Sequence, residues 1–451
     1  MKKVLSTVAA LGLVAGLAST AAAVEFSVKG KYIVEGYSIS DTQATLPGVD
    51  LAGPSDSDAY WMHTLQFLPT MKVNDKISMS ADVRIFKEAV WGGDPTVGTS
   101  QDDGNTDLDL DKVWMDYLSP IGKIRVGRVE TSVFGGKYLD SSSSGNRIMW
   151  WPSFVSKPWE VLFFTQKTTE GDLGTAYADY DNDAYKAQVA HTSDNGKAAM
   201  EYIFSRTANG ATLDGAGEPN SLDAHHVGIW GKYKVMGNWT VEAELAHKWS
   251  DQSNTEGTMT VKDWDAWGAM FDVAGKFGDM DAGLMYFYAS GDDNSADDDN
   301  EAAMSAYGGT GDDFKPLYIL TGDHTGILNN DLADFADKHY GNVATSGVHA
   351  IVLHTGYKVS DKLSLSAAIA YAEADEATQG NGAGGYTLGY ANQGDEYGWE
   401  YNIGAAYKLL DNLTYEAHFG YLDTGDYFQS TAATDDTNGI TLMSHHLTMS
   451  F

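Results

Sequence analysis

The chain has 451 residues, and its 63 acidic side chains outnumber its 29 Lys and Arg side chains, giving a formal net charge of −34. Such a charge excludes nucleic acid as a partner, because a polyanion would be repelled. Cysteine is absent, which excludes disulfides, thiolate catalysis and Cys-ligated metals. Aromatic residues make up 12% of the chain, whereas disordered acidic chains are poor in them. The composition therefore predicts an ordered protein.

Residues 1–23 have the pattern of a secretory signal peptide. Two lysines near the start precede the apolar run Val4–Leu17, and small residues follow at Ala21–Ala23. The apolar run is shorter than the roughly 20 residues that a spanning helix needs. We expect export through the periplasm, cleavage of residues 1–23 and a single mature domain at 24–451. Loss of the two lysines changes the net charge from −34 to −36.

The mature chain alternates apolar and polar residues in segments that are joined by very short and long connections in turn. Segment 76–88 places Ile77 and Met79 on one face and Ser78 on the other, because successive side chains of a strand face opposite sides. Alternating short turns and long loops are typical of a transmembrane β-barrel. The strands are predicted near residues 24–38, 59–73, 76–88, 108–118, 122–130, 158–168, 173–180, 184–192, 197–206, 224–235, 239–249, 262–277, 281–290, 347–359, 362–373, 397–409, 413–423 and 440–451.

This pattern predicts an all-β, antiparallel transmembrane barrel of 18 strands. Omitting the pair of strands around residues 171–178 would leave 16 strands, which is also an even number. A soluble β-sandwich has alternating strands as well, but it gives no reason for short and long connections to alternate. The final strand ends in Phe451, which resembles the C-terminal signal that outer-membrane proteins present to their assembly machinery. We therefore expect a bacterial outer-membrane location, with lipid, lipopolysaccharide and the barrel assembly machinery as partners.

A stretch at 131–157 follows a strand that ends in Val126-Gly127-Arg128-Val129-Glu130. A strand pair that ends in Gly-Arg and enters a Gly-rich loop resembles the third hairpin of bacterial porins, whose loop folds inward and narrows the channel. The resemblance implies an inward loop over 131–157, and general porins imply a homo-oligomer, namely a trimer. A second long connection, at 291–346, is predicted to be an outer loop.

A closer resemblance is to the alginate-export family of outer-membrane channels. It rests on three patches, namely Asp111-Lys112-Val113-Trp114-Met115-Asp116-Tyr117 with Val126-Gly127-Arg128, Phe314-Lys315-Pro316-Leu317-Tyr318 before His324-Thr325-Gly326, and Leu413-Thr414-Tyr415 to Gly420-Tyr421-Leu422 with Gly425-Asp426-Tyr427-Phe428. The family implies 18 strands and channels that can act as monomers. A pathway for a polyuronate should be lined by Arg and Lys. Of the 29 Arg and Lys residues of this chain, two lie in the signal peptide, which leaves 27 basic residues against 63 acidic ones. The resemblance therefore supports the fold and a channel function more than it supports a polyuronate as the substrate.

The candidate constriction residues follow from the alternation of faces. If Ile124 and Val126 contact lipid, Lys123 and Arg125 face the lumen. Basic wall residues opposite acids on the inward loop would set a transverse field that orders solutes by charge and dipole. Plain solvated lumen side chains are the alternative. The predicted residues are Asp82, Arg84, Lys123, Arg125, Arg128, Glu130 and Asp140.

Two acidic clusters are candidates for binding a cation. Calcium takes six to eight oxygen ligands from such clusters, but neither cluster has the spacing of an EF-hand, so no metal site is firmly predicted. An ordinary solvated loop and a cation-attracting mouth are the other interpretations. The clusters consist of Asp107, Asp109 and Asp111 on one strand and Asp297, Asp298 and Asp299 in the loop at 291–346.

The sequence contains no motif of an enzyme active site, so we predict neither catalytic residues nor a cofactor beyond the possible Ca²⁺. The predicted function is a porin for passive diffusion of small hydrophilic solutes and ions, with a cation preference that comes from the excess of acid. A substrate-specific channel for an oligosaccharide or an acidic polysaccharide is one alternative. A structural or adhesive surface barrel, with its lumen plugged by residues 291–346, is another.

Overall fold

The structure is a computed structural model that describes residues 24–40, 57–91, 108–130, 135–140, 144–170, 181–213, 219–253, 263–293, 299–329, 343–376, 394–428 and 439–451. Its strands in chain order are β1 Glu25–Ser40, β2 Ser57–Asn74, β3 Ile77–Val90, β4 Leu108–Ser119, β5 Gly122–Glu130, β6 Ser144–Pro152, β7 Trp159–Thr169, β8 Asn182–Ser193, β9 Gly196–Leu213, β10 Pro219–Met236, β11 Trp239–Ser253, β12 Asp263–Phe277, β13 Met280–Ala289, β14 Asp299–Asn300, β15 Val348–Lys358, β16 Leu363–Glu373, β17 Glu396–Leu410, β18 Leu413–Thr424 and β19 Ile440–Ser450.

Eighteen of these strands form one closed antiparallel barrel. Closure occurs at β1, where Val34 lies opposite His63 of β2 on one side and Leu447 of β19 on the other. The two-residue strand β14 stands outside this ring, because β13 pairs directly with β15 and β14 pairs in parallel with the start of β12. The predicted 18-stranded antiparallel barrel is thus confirmed.

Short turns join the strands at one end of the barrel and long connections join them at the other. In the turn from β2 to β3, the side-chain oxygen of Asn74 accepts the amide N–H groups of Lys76 and Ile77, at 2.8 and 3.0 Å. This Asx-type contact satisfies two backbone donors that the turn removes from the ladder. Within the described ranges, no helix is long and apolar enough to cross a membrane.

The two faces of the wall differ in their surroundings. On β15, Ile351 and Leu353 point outward with 52% and 57% of their surface exposed, whereas Ala350 and Val352 point inward and are buried. An exposed outer face of large apolar side chains is the pattern expected of strands that contact lipid. The buried inner face shows that part of the chain packs inside the barrel.

Among the residues that the structure describes, two pieces of chain contribute much of the packing inside the barrel. Residues 135–140, called the inner loop below, bury Tyr138 and Leu139. Residues 299–329, called the inner segment below, include the short helix Ala303–Tyr307 and bury apolar side chains against the wall. The amide of Leu139 donates to the carbonyl oxygen of Thr310 at 2.8 Å, so the inner loop and the inner segment support each other. A helix at Val343–Ser346 and a 3₁₀ helix at Asp426–Phe428 lie in other connections.

The structure differs from the sequence prediction at both long loops, one of which contains an additional strand. Ser144–Pro152 forms β6 in the wall, within the range predicted as an inward loop, so 135–140 is the described part that turns inward. The predicted strand at 173–180 lies outside the described residues, and β7 pairs directly with β8. The range 291–346 is not simply an outer loop, because its described apolar residues are buried in the interior.

The strand β6 was not predicted because its inner face is partly apolar. Met149 and Trp151 point inward, on the same face as Arg147, and Met149 is buried with Val129 and Leu162 in a small cluster. Apolar residues on both faces remove the period of two that identifies a half-polar strand. The number of strands in the ring still equals the predicted 18 because β6 was not predicted, while β7 pairs directly with β8 and no further strand stands between them.

Candidate functional site: the polar side of the lumen

The interior is divided into an apolar side and a polar side. The inner segment packs on inward apolar residues of β11 to β13 and β15 to β19, together with β1 and β2. The buried charged side chains of the other strands include Asp82, Arg147, Lys186 and Glu201. Burying charge is costly unless it is paired, so the charged side chains of this polar side need ion-pair or hydrogen-bond partners.

Asp82 and Arg84 of β3 both lie on the inward face. The carboxylate of Asp82 accepts the side-chain amide of Gln66 through both oxygens at 2.8 Å. The guanidinium of Arg84 lies 2.9 Å from the carboxylate of Asp111 and 3.4 Å from that of Asp82. These contacts form a small charge network on β2 to β4.

Lys123 and Arg125 of β5 also point into the lumen. Arg125 donates to both carboxylate oxygens of Asp116, at 2.7 and 2.9 Å, a fork geometry that holds the guanidinium in one orientation. The Lys123 ammonium lies 3.4 Å from Asp116 and 4.9 Å from the ring centre of Trp151. The Arg125 guanidinium lies 5.0 Å from the ring centre of Trp114. Cations on aromatic faces thus line this part of the wall.

The structure places Arg128 and Glu130 nearer the rim. Arg128 is opposite Val113, which points outward, and its Nε donates to the backbone oxygen of Asp111 at 2.9 Å. Glu130 accepts from the ammonium of Lys112 at 2.8 Å. The structure therefore does not bring Arg128 together with the inward cations of β5.

Asp140 is brought to the lumen by the inner loop. Burial, followed by the nearby negative charge of Glu201, raises the pKa of Asp140 to about 6. The charged groups that act on Asp140 include Glu201 and Lys186 of the wall and Glu130, another of the predicted residues. Whether the seven predicted residues form the constriction stays a prediction.

The two candidate cation clusters are only partly within the described residues. Asp107, Asp297 and Asp298 lie outside them. Asp109 is opposite Arg84 in the ladder, Asp111 is paired with Arg84, and Asp299 lies in β14. Across the described ranges, no group of three or more His, Asp or Glu side chains is arranged to hold a metal ion.

A cavity of about 380 Å³ lies between the inner loop, the helix Ala303–Tyr307 and the wall. Its charged and ring-bearing lining residues are Tyr138, Asp140, Arg147, Phe164, Lys186, Glu201, His226, Glu244, Lys248 and Tyr307. Of these, the sequence prediction included Asp140.

A chain of hydrogen bonds crosses this cavity. Lys186 forms an ion pair with Glu201, Glu201 contacts Nε2 of His226 at 3.2 Å, and Nδ1 of His226 contacts the hydroxyl of Tyr307 at 2.8 Å. Each member is held by its neighbours, so the wall is polar and rigid at this point. The guanidinium of Arg147 lies 5.5 Å from the ring centre of Phe164.

Charges of both signs line the cavity. Arg147 and Lys186 stand on β6 and β8, Glu201 stands on β9, Glu244 and Lys248 both stand on β11, and Asp140 adds a third acid from the inner loop. Separated charges of opposite sign set a local field inside the lumen. Apart from Asp140, these residues are candidates for the predicted transverse field that were not selected from the sequence.

The missed residues had a local signal. Glu201 lies between Met200 and Tyr202, which point outward with 47% and 40% exposed, and Lys186 follows the outward Tyr185. A charged residue between two lipid-facing apolar residues must face the lumen. Neither Lys186 nor Glu201 was predicted, because both lie on strands away from the expected inward loop.

Solved structures with this architecture are outer-membrane porins and channels. A BenF-like porin from Pseudomonas fluorescens Pf-5 has a TM-score of 0.54 at 11% identity, over 95% of this chain and 98% of that chain. OccK5 (OpdH) of Pseudomonas aeruginosa has a TM-score of 0.50 at 11% identity, over 94% and 98%. OpdQ of the same species has a TM-score of 0.50 at 12% identity, over 95% and 97%.

These similarities show that the chain has the fold of this class of barrel. No protein-family model matches the sequence, and no curated protein sequence matches it. None of the three structures is named as an alginate exporter, so the resemblance to that family stays a prediction.

Proposed function

We propose that the protein is an outer-membrane channel through which small hydrophilic solutes and ions diffuse passively. The observation that carries this proposal is the division of the closed barrel into a packed apolar side and a polar side with a cavity of about 380 Å³. A barrel without a transport role has no need to keep paired charges along half of its inner wall, because burying them is costly.

The outer face supports the membrane location. His247 stacks on Trp267 with ring centres 3.7 Å apart and on Trp249 at 5.0 Å. His225 stacks on Trp249 from the next strand at 5.1 Å. These rings lie toward the end with the long connections, and an aromatic girdle is typical of the interfacial region of membrane barrels. A trimeric assembly and contacts with lipopolysaccharide and the barrel assembly machinery stay predictions.

We further propose a weak preference for cations. Within the cavity, the acids Asp140, Glu201 and Glu244 stand against the bases Arg147, Lys186 and Lys248, so the cavity itself is close to balanced when all are ionised. The excess of acid in the whole chain, 63 against 29, attracts cations to the mouths over a distance of roughly 10 Å at moderate salt.

Planar-bilayer conductance in a salt gradient tests both proposals. Open-channel steps with a reversal potential of the cation-selective sign are expected. A reversal potential of the opposite sign would contradict the cation preference. If no conductance appears after refolding, the channel proposal fails, and the non-conducting barrel suggested by the inner segment is the better description.

A sugar-selective channel is a second candidate. The aromatic side chains of Tyr138, Phe164 and Tyr307 line the cavity together with charged groups, and flat rings beside polar groups are the combination that binds ligands with apolar and polar faces. Liposome swelling should then be faster with a disaccharide than with a zwitterion of equal size. Equal rates would favour the general channel.

A further inference from the structure

Glu400 of β17 connects the barrel wall to the inner segment. Its side chain points inward and is fully buried. The carboxylate accepts the amide N–H groups of Tyr318, Ile319 and Leu320, each at 2.8 Å. Three consecutive amides around one carboxylate form an anion-binding concavity of the backbone.

The three residues belong to a turn that holds its own shape. Within residues 317–328, Ile327 donates its amide to the carbonyl oxygen of Ile319 at 3.0 Å, and Leu328 donates to that of Leu320 at 2.9 Å. Fixing residues 318–320 therefore fixes the whole turn. Among the described residues, no other carboxylate of β17 accepts backbone amides of this turn.

A buried carboxylate has to be compensated. In the part of the chain that the structure describes, Glu400 forms no ion pair with Lys, Arg or His, so the backbone amides of the turn, together with the side chain of Asn402, supply the compensation. An isolated carboxylate in an apolar interior is very costly, and the three amides would lack partners without it. Wall and turn are thus mutually dependent.

We propose that Glu400 is the positioning residue that holds the turn 317–328 inside the barrel and thereby sets the width of the open lumen. The effect on the width of the lumen rests on the proposed channel function, since a displaced turn would widen the path beside it. The attachment itself is independent of transport, and it can be tested separately.

Thiol labelling tests the attachment without any transport assay. The chain contains no cysteine, so a single Leu328→Cys substitution, at a fully buried position of the turn, provides the only thiol. In folded protein in detergent, a maleimide should label this thiol slowly. Adding Glu400→Ala should raise the labelling rate at least about tenfold, the effect of losing the equivalent of one hydrogen bond to a charged group.

Glu416→Ala is the matched control. Glu416 points inward on the neighbouring strand β18 and carries the same charge, but it accepts no backbone amide of the turn. Its variant should label like the parent. Glu400→Gln keeps the shape of the side chain and one accepting oxygen, so its thiol should be labelled at an intermediate rate. This variant replaces Glu400→Ala in the test if Glu400→Ala does not fold.

Chemical rescue separates the attachment from a general loss of packing. Acetate should fit the space left in Glu400→Ala and slow the labelling toward the parent rate, whereas the larger gluconate at equal ionic strength should not. Equal labelling of the parent and both Glu400 variants would overturn the proposal, and so would fast labelling that acetate leaves unchanged.

Single-channel recording then tests the consequence. If the parent conducts, Glu400→Ala should give larger or more variable open steps, and Glu416→Ala should keep the parental step size. Identical steps in Glu400→Ala would overturn the inference about width while leaving the channel function intact. A silent parent would instead contradict the proposed function, and the labelling result would still decide whether Glu400 holds the turn.

Discussion

Phe287 is the side chain whose removal should test the packed half of the barrel most directly. It points inward from β13, is fully buried, and its ring centre lies 5.8 Å from that of Tyr138 in the inner loop and 5.2 Å from that of Phe314 in the inner segment. Phe287→Ala should destabilise the folded barrel by about 3–5 kcal/mol, since a buried Phe→Ala change combines a lost transfer free energy with a cavity.

Phe271→Ala is the matched control for Phe287→Ala. Phe271 lies on the outer face of β12 with 46% of its surface exposed, so lipid can close over the space that the ring leaves. Only the transfer term of about 1.5–3 kcal/mol should be lost. The free energies of unfolding would be measured by urea titration in lipid vesicles, with the fluorescence of the 12 tryptophans as the signal. If Phe287→Ala lowers the free energy of unfolding no more than Phe271→Ala does, Phe287 is not part of a packed interior.

Three further predictions, which use four substitutions, concern the polar side of the lumen. Because burial raises the pKa of Asp140 to about 6, this group is protonated at pH 5 and ionised at pH 7, so cation preference measured by reversal potential should increase over that range and change less in Asp140→Asn. Lys186→Met should lower the free energy of unfolding by about 3–5 kcal/mol in urea titrations, because it leaves Glu201 without its cation. Adding Glu201→Gln to this variant should restore most of the lost stability. A single variant as stable as the parent would contradict this prediction. Arg125→Met should shift the reversal potential further toward cations by releasing Asp116, and an unchanged potential would show that this pair lies off the conduction path.

The strand pattern is the part of the fold that the sequence predicts well. Strands with large apolar residues on one face and polar residues on the other, such as 76–88, lie close to their predicted positions, as β3 does. This works because the lipid face and the aqueous face impose opposite requirements on successive residues. The inward placement of Asp82 and Arg125 follows from the same rule.

The interior could not be predicted from the sequence for a physical reason. The turn at 317–328 contains Gly322, Asp323 and Gly326, the residue types of an exposed loop. Its burial depends on Glu400, which is about eighty positions away in the chain and which contributes three hydrogen bonds to it. Local composition carries no information about such a partner.

The strands nevertheless contain a sign that the lumen is filled on one side. On β16, the inward residues Ala368, Ala370 and Ala372 are small, apolar and buried, whereas inward residues beside water should be polar. A barrel strand that is apolar on both faces has either lipid or protein on each side. Since lipid can occupy only the outer side, protein must pack against the inner one. The short alanine side chains leave the room that the inner segment occupies, and the charged side chains of strands β3 to β9 form the polar side of the lumen beside it.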